Sequence, residues 1–386
     1  MSSVVCHICL NGPYTDGWNY QENVLPKYHV KMGYRVFQIV TPYAFVNGTV
    51  EDIGAQRYIN QDQVEIIRIK PVYHKLLGQR ANRYPNIASL LEELHPDILF
   101  IHDVQFLDTD KIAAYLKAHP SCTAYADNHA DFANSASNIF SKIILHQMIW
   151  RNRAQKLVPY VKKFYGVLPA RVDFLTDVYQ IPKSKCELLV MGADDELVHK
   201  ATTSEKRRFI REKYHVSPND FLVVTGGKIN QYRPETLNLM EAVLAMHDSH
   251  VKLLLFGSVS DELKPQFDLL ARSPNIIFAG WQDAQGTYDL MAAGNLIVFP
   301  GLHSVMWEQA AALGVPCIFR DLKGFHHIDL GGNALLMEDV SSMSLQSAIE
   351  SLVHDPVKYQ AMKRCAQEKG MNVFSYKNIA KRSIEC

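Results

Sequence analysis

The sequence predicts an α/β protein made of two doubly wound domains. Three observations support this prediction: short apolar runs of strand length alternate with helical stretches, the runs are apolar throughout, and the alternation pauses once near the middle of the chain. Continuously apolar strands separated by helices are typical of parallel sheets covered on both faces. The length of 386 residues fits two domains, since one domain takes roughly 150 residues.

The first predicted domain contains four clear strands. Val4–Leu10 and Arg35–Thr41 are the first two, and the stretch Tyr20–Met32 between them has helical periodicity. Ile98–His102 and Ser121–Ala126 follow later in the chain and read as buried strands of the same sheet.

A polar, charged segment over 202–213 interrupts the alternation. The apolar runs resume beyond it, which predicts strands at 221–227, 251–257, 275–280, 296–300 and 316–319. We therefore expect domains over 1–195 and 196–370. Ligands of such sheets bind beyond the carboxyl ends of the strands, so we expect the site in the cleft between the two domains.

Composition and charge argue against several classes of protein. The 40 Lys and Arg residues balance the 40 Asp and Glu residues, so no nucleic-acid partner is expected. No apolar run approaches the roughly 20 residues that cross a bilayer, and the first residues lack the basic start of a secretory signal. The 7 cysteines are an odd, scattered set, which fits a reducing compartment. We expect a cytoplasmic protein.

Charge is distributed unevenly in the first half of the chain. Between Asp131 and Asp173 the sequence has no acidic residue but many basic ones, beside the apolar stretch 143–150. One interpretation is an ordinary solvated surface. The other is a face for an anionic partner, either a membrane surface or a diphosphate-bearing lipid.

The most informative stretch runs from Phe299 to Pro316. A strand ends at Phe299, a Gly-containing loop follows, and a helix is predicted to begin near Ser304, which would cap it. Backbone N–H groups around Ser304 and Val305 would then suit an anion. Glu308, one turn further, can accept two hydroxyl hydrogen bonds from a ribose. The other interpretation is a capped helix with Glu308 in solvent, but a helix this apolar should be buried, and a buried carboxylate needs partners.

This stretch resembles the nucleotide-sugar-binding helix of GT-B glycosyltransferases, in which a Pro-containing loop, a small polar residue and a Glu precede an Ala-rich turn ending in Gly-x-Pro. The segment Gly226–Leu237 is similar to the one in glycosyltransferase family 4 in which two basic residues follow the first strand of the second domain. Here those residues are Lys228 and Arg233, next to Gly227. Two cations suit a nucleoside diphosphate, which gains negative charge as the glycosidic bond breaks.

The N-terminal segment carries a third similarity to family 4. A loop containing Gly12 and Gly17, followed by the helix start Tyr20 to Asn23, matches the family pattern of a Gly-containing loop before Tyr-Gln-Glu-Asn. The two glycines would let the backbone approach donor or acceptor. The resemblance implies the GT-B fold, with two Rossmann-like domains facing a central cleft and a C-terminal helix over 371–386 that crosses back onto the first domain.

The reacting centre is expected just after the strand at 121–126. His129 resembles the histidine that family 4 enzymes present to the donor sugar, and Asp131 or Asp127 would orient it or receive the acceptor proton. The other interpretation of His129 is a residue that caps a turn. The loop of Trp281 lies beside the nucleobase in family members, although a core aromatic is equally compatible with that position.

The donor loop departs from the family pattern at one point. Family 4 has two glutamates separated by seven residues, and counting back from Glu308 places the first at Pro300. His303 is our candidate for part of the missing glutamate's role. The identity of the donor sugar and the retention of configuration depend on this contact. His102 and Asp103 are further candidates for lining the cleft.

Together these similarities imply an enzyme that moves a hexose-type sugar from a nucleoside diphosphate donor, UDP preferred, to a hydroxyl acceptor. The implied acceptor is a polyprenyl-diphosphate-linked glycan at the inner face of a bacterial membrane, as in capsule, exopolysaccharide or O-antigen assembly. We expect no metal and no further cofactor, because the two cations neutralise the diphosphate. Two alternatives stay open: a nucleotide-sugar 2-epimerase of the same fold, and a catalytically silent partner subunit.

Overall fold

The chain divides into two units. A computed structural model describes residues 3–72, 82–131, 141–231 and 234–385, of which 141–145 by their backbone. The first unit runs to Met191 and takes back the segment from Ile379 onward, and the second is Gly192–Asn378. The boundary thus falls slightly before the expected residue 195, and the returning segment is shorter than the expected 371–386.

A large sheet forms the centre of the first unit. The strands of this unit, of which β3 and β4 form a separate hairpin, are β1 (Val4–Cys9), β2 (Arg35–Val40), β3 (Tyr43–Val46), β4 (Thr49–Asp52), β5 (Gln56–Ile59), β6 (Glu65–Arg68), β7 (Ile98–Ile101), β8 (Thr123–Asn128), β9 (Val161–Gly166) and β10 (Cys186–Leu188). In the described residues the sheet has eight strands in the order β10-β9-β8-β7-β1-β2-β6-β5, parallel apart from the edge pair β5–β6, while β3 and β4 form the antiparallel hairpin.

Helices follow these strands along the chain. They are α1 (Gln21–Lys31), α2 (Ile87–Leu94), α3 (Thr109–Ala118), α4 (Arg151–Leu157) and α5 (Pro169–Asp177), with a π-helical segment at Ser141–Trp150 and a short 3-10 turn at Lys183–Lys185. Strand β8 ends two residues later than predicted, because its pairing with β9 continues through Asp127 and Asn128. Asp127 is therefore held in the sheet and does not lie on a free loop.

The second unit repeats the doubly wound arrangement. Its strands are β11 (Phe221–Ile229), β12 (Val251–Val259), β13 (Ile276–Phe278), β14 (Leu296–Phe299), β15 (Cys317–Arg320) and β16 (Ala334–Met337). Its helices are α6 (Asp195–Ala201), α7 (Ser204–Lys213), α8 (Glu235–Ala245), α9 (Lys264–Leu270), α10 (Ala284–Ala293), α11 (Met306–Ala312), α12 (Ser342–Val353), α13 (Pro356–Phe374) and α14 (Tyr376–Ile384), the last of which ends in the first unit. Over the described part of this unit the sheet is parallel, in the order β13-β12-β11-β14-β15-β16.

The polar segment that separates the two predicted domains is helical. Helix α7 makes up most of it and begins after Thr203, whose hydroxyl accepts a hydrogen bond from the backbone N–H of Lys206. The segment is polar because most of this helix is exposed, and Ile210 and Arg211 supply its buried side. Among the described helices, none is both long and apolar enough to cross a membrane.

Two glycines allow β11 and β12 to stay paired to their carboxyl ends. Gly227 and Gly257 face each other in the ladder with φ of 119° and 116°. A Cβ on Gly257 would lie 2.0 Å from the carbonyl oxygen of Gly227, so Gly257 tolerates no side chain, and the positive φ of Gly227 would strain one there. This close approach fixes the position of the segment that carries Lys228.

We expect Gly257→Ala to destabilise the second unit strongly. The positive φ and the collision with the Gly227 carbonyl together should lower the free energy of unfolding by about 2–5 kcal/mol. Gly332→Ala is the matched control, because Gly332 has a φ of 114° but open space around its Cβ position. In chemical denaturation, Gly332→Ala should lower the free energy of unfolding by only about 1–2 kcal/mol. Equal losses in the two variants would contradict the close-approach argument.

Candidate active site

The loop after β14 leads into helix α11 at the carboxyl edge of the second sheet. The helix begins at Met306, two residues later than predicted, and Val305 precedes it without a capping side chain. The Ser304 carbonyl accepts the N–H of Trp307 at 2.9 Å. The prediction that the Ser304 hydroxyl caps the helix is therefore wrong, and the backbone of Ser304 already forms the first turn.

Glu308 is fully buried on α11 between two imidazoles. His303 Nε2 donates to its Oε1 and Oε2 at 2.9 and 3.1 Å, and His327 Nε2 donates to Oε1 at 2.8 Å. The two histidine side chains are only 6% and 5% exposed. The rings of Trp307 and Phe325 pack against the ring of His303, with centroid distances of 5.2 and 5.0 Å. The buried carboxylate thus has the partners that its burial requires.

This arrangement fixes the charge of Glu308 and limits what else it can bind. Burial by itself would raise its pKa, but the adjacent imidazoles of His303 and His327 outweigh burial and lower the pKa to about 2. A carboxylate has about four acceptor positions. The histidines occupy both positions on Oε1 and one on Oε2, so room remains for one further hydrogen bond, at Oε2. The sequence analysis expects Glu308 to accept hydrogen bonds from two ribose hydroxyls, and only one of them has a free acceptor position.

Other predicted donor-binding residues lie at the same edge of the second sheet. Lys228 is exposed near the end of β11, and the Cβ position of Gly227 lies 3.1 Å from the end of the Met306 side chain at the start of α11. Arg233 lies outside the described residues. Trp281 is 75% exposed, which leaves its ring accessible.

A second carboxylate lies beside the loop where the family glutamate is missing. Glu235, the first residue of α8, accepts a hydrogen bond from Arg320 at 2.7 Å through Oε1. Its Oε2 is buried and has no hydrogen-bond partner in the described part of the chain. That oxygen is 3.5 Å from the Cβ position of Gly301, the residue after Pro300. An unpartnered buried carboxylate oxygen is unfavourable unless a ligand donates to it.

In the first unit, the predicted reacting residues converge on Asp127. Its Oδ1 accepts the backbone N–H of Asp103 at 2.7 Å and lies 3.3 Å from His129 Nε2. Its Oδ2 accepts from Gln21 Nε2 at 3.0 Å and contacts His102 Nδ1 at 3.1 Å. Four N–H groups therefore hold this buried carboxylate in one orientation.

Asp127 and His129 stabilise each other's charge. Burial would raise the pKa of Asp127, but His129 and His102 outweigh burial and hold it well below its usual range. Burial would likewise lower the pKa of His129, but the Asp127 carboxylate outweighs that effect and raises it. His129 is 30% exposed, so this favoured imidazolium reaches the surface.

A cavity of about 170 Å³ opens beside this pair, and its lining includes Gly12, Glu22, His102, Asp103 and His129. The cavity brings the N-terminal glycine loop and the predicted reacting histidine together within one unit.

Two predicted residues of the first unit lie elsewhere. Asp131 is paired with Arg171, whose Nε donates to Oδ2 at 3.1 Å. Gly17 adopts a φ of 77° in the turn before α1, with the Gln61 side chain 3.7 Å from its Cβ position. Gly17 thus allows the positive φ of this turn, and the Asp131 carboxylate binds the Arg171 side chain.

Several residues of the two clusters escaped the sequence analysis. His327 and Glu235 reach the second-unit site from separate elements, and no spacing in the sequence links either to Glu308. In the first unit, His7 and Gln21 were counted only as parts of a strand and a helix start. Polar residues inside apolar runs were the one available signal, since a buried histidine or glutamine needs a partner.

Comparisons with known proteins agree with this architecture. Residues 220–355 match the family model of Glycosyl transferases group 1. No curated protein sequence matches the chain. A glycosyltransferase from Rickettsia africae is 16% identical over 99% of this chain and 96% of its own, with a TM-score of 0.70.

Two further solved structures are similar over nearly the whole chain. Alr3699/HepE of Anabaena, solved in complex with UDP and glucose, is 17% identical over 99% of this chain and 98% of its own, with a TM-score of 0.66. A putative UDP-N-acetylglucosamine 2-epimerase from Listeria monocytogenes is 11% identical over 99% of this chain and 95% of its own, with a TM-score of 0.64. The chain therefore has the GT-B fold, and its residues 220–355 match the glycosyl transferases group 1 family, which supports a glycosyltransferase.

Proposed function

We propose that the chain transfers a hexose-type sugar from UDP to a hydroxyl acceptor, with retention of configuration and without a metal. The observation that carries the proposal is Glu308, a buried, ionised carboxylate held by His303 and His327 inside the domain that matches the glycosyltransferase family. Its remaining acceptor position on Oε2 would receive one ribose hydroxyl. The fixed carboxylate gives the hydroxyl an orientation without any rearrangement of the site.

The second unit would bind the rest of the donor. Lys228 would neutralise charge on the diphosphate together with Arg233, and backbone N–H groups at Ser304 and Val305 would add neutral donors. The exposed ring of Trp281 would cover the base. UDP is our preferred nucleotide because the Anabaena protein of the same fold was solved with UDP and glucose.

The first unit would supply the reacting histidine and bind the acceptor. The imidazolium favoured at His129 would hydrogen-bond a sugar hydroxyl or the departing phosphate as negative charge develops. We propose a lipid-linked glycan as the acceptor. The described part of the basic stretch supports this, because Met148, Lys156 and Lys162 are all exposed, and exposed apolar and basic side chains together suit an anionic lipid surface.

The test is transfer from labelled UDP-hexoses to a polyprenyl-diphosphate-linked sugar, with and without EDTA. The proposal predicts a labelled product that forms only with acceptor and survives EDTA. Conversion of the donor sugar without any acceptor would instead indicate the 2-epimerase, whose fold a structural relative shares. A protein that binds neither donor nor UDP would indicate a silent partner subunit.

Glu235 would receive a hydroxyl of the donor hexose at its unpartnered Oε2. We expect Glu235→Gln to weaken binding of the UDP-sugar about tenfold while leaving the affinity for UDP unchanged, because one hydrogen bond to a charged group contributes roughly 1.5 kcal/mol. Calorimetric titration of both ligands measures the difference. Glu368→Gln, at an exposed carboxylate on α13, is the control. A parallel loss of UDP affinity in Glu235→Gln would exclude the sugar contact.

A further inference from the structure

Behind Asp127, three histidines form an unbroken buried chain. His102 Nε2 lies 2.9 Å from His7 Nδ1, and His7 Nε2 lies 2.9 Å from His29 Nδ1. The three rings are nearly parallel, with His7 tilted 20° and 25° from its neighbours. The three side chains are at most 3% exposed, so water is not available to satisfy their nitrogens.

Both ends of this chain are hydrogen-bond acceptors. At one end, His102 Nδ1 lies 3.1 Å from the Asp127 carboxylate. At the other, His29 Nε2 lies 3.0 Å from the carbonyl oxygen of Ala380 on α14. The Ser383 hydroxyl lies 3.1 Å from His29 Nε2 and 2.7 Å from the same carbonyl oxygen.

Counting protons along the chain gives a definite charge. Four contacts, two between imidazoles and one at each end, need one N–H each, whereas three neutral imidazoles carry only three. If His29 Nε2 lacked its proton, its lone pair would face the Ala380 carbonyl oxygen at 3.0 Å, which is repulsive. The geometry therefore needs one proton more than the neutral chain holds.

The position of that proton follows from the surroundings of each ring. Burial lowers the pKa of His7 well below its ordinary value, and burial together with His102 lowers that of His29 to about 4 in spite of the hydrogen bond to Ala380. His102 is the ring that contacts the ionised Asp127. The charge therefore belongs on His102.

Other charged and titratable groups near the chain come from several elements. They are Cys6 and Cys9 on β1, Glu22 on α1, Tyr34 after α1, whose ring contacts His29, Asp103 after β7, and His129 after β8. Burial raises the pKa values of both thiols, so they stay neutral. Glu22 and Asp103 add negative charge near the Asp127 end, which favours the extra proton there and not at His29.

We propose that His102, His7 and His29 hold one proton beyond the neutral state, with the imidazolium at His102, and that this chain positions Asp127 and through it His129. The Ala380 carbonyl sets the direction of every hydrogen bond in the chain. The extra charge gives the cluster of His102, Asp127 and His129 a net positive charge, which suits an anionic donor. This last role rests on the proposed function, whereas the protonation state does not.

The direct test is nitrogen NMR of the histidine rings in the whole protein at pH 8, above the ordinary histidine pKa of about 6.5. Signals are assigned with His102→Gln, His7→Gln, His29→Gln and His129→Gln. We expect both nitrogens of His102 to be protonated and His29 to carry its proton on Nε2. A neutral His102, with the His29 proton on Nδ1, would overturn the proposal. This readout does not require transferase activity.

Two substitutions at His29, remote from the cavity, separate charge from packing. A glutamine at 29 can accept from His7 and donate to Ala380, so His29→Gln should keep the extra proton. A leucine can do neither, so only the contacts from Asp127 to His102 and from His102 to His7 would remain. Two neutral imidazoles carry enough protons for these two contacts, so His29→Leu should lose the extra proton. With Asp127 no longer offset, the pKa of His129 would rise.

The upper pH limit of transfer should therefore move upward by about one pH unit in His29→Leu and stay in place in His29→Gln. Identical pH limits in the two variants, with His102 neutral in both, would overturn the proposal. If transfer is absent even in the wild type, the proposed function fails, and the NMR result alone decides the protonation state.

Discussion

Glu308→Ala should lower the free energy of unfolding by about 3–5 kcal/mol and abolish UDP binding, the largest effect that we expect from a single substitution. The substitution leaves the N–H groups of His303 and His327 buried without an acceptor, in a pocket that water does not reach. It also removes the carboxylate proposed to hold the ribose. Chemical denaturation and calorimetric titration with UDP measure the two losses separately.

Glu308→Gln is the matched control, because its amide oxygen still accepts a hydrogen bond. The free energies of unfolding of the wild type and Glu308→Gln should differ most above pH 4.5, the ordinary pKa of a glutamate. Because the folded-state pKa of Glu308 is about 2, its contribution of roughly 3 kcal/mol is fully present above pH 4.5 and is lost as the pH falls towards 2. A stability difference that does not change between pH 7 and pH 3 would contradict the buried ion cluster.

His129→Ala should reduce the turnover number about 100-fold or more, the second large effect, with little change in the KM of the donor. A positioned acid or electrostatic group contributes roughly 10²–10⁴-fold. Asp127→Asn should give a loss of similar size, because an amide cannot accept from all four N–H groups around Asp127. Steady-state kinetics with a saturating acceptor measures both variants.

The double variant tests whether the two residues act as one unit. If Asp127 works by orienting His129, then His129→Ala with Asp127→Asn should be no slower than His129→Ala alone. Losses that multiply would show that Asp127 acts independently. UDP affinity should remain at the wild-type value in all three proteins, since the proposed nucleotide contacts lie in the second unit.

The fold was predictable because both sheets are parallel and buried. Strands such as Ile98–Ile101 and Leu296–Phe299 are apolar on both faces, so the sequence shows them as uninterrupted runs. The burial of Glu308 was predictable for the same reason, since the helix around it leaves no polar face. Its need for a buried partner followed, but the identity of that partner did not.

Contacts between distant segments could not be predicted from the sequence. His7, His29 and His102 belong to a strand, a helix and a strand end, and only the folded sheet brings their rings into line. The pairing of Glu235 with Arg320 likewise joins α8 to the end of β15. The start of α11 was misplaced because Ser304 is a favourable capping residue by type, whereas the loop there uses its backbone instead.

Calorimetric titration of the wild-type protein with UDP and GDP, with and without EDTA, tests the central claim most directly. We predict micromolar binding that favours UDP, survives EDTA, and weakens about tenfold or more in Lys228→Ala, since a charge-assisted hydrogen bond contributes roughly 1.5–3 kcal/mol. Lys252→Ala, in the same sheet but remote from the carboxyl edge, should bind as the wild type does. Absence of binding to either nucleotide would contradict a nucleotide-sugar site in the second unit.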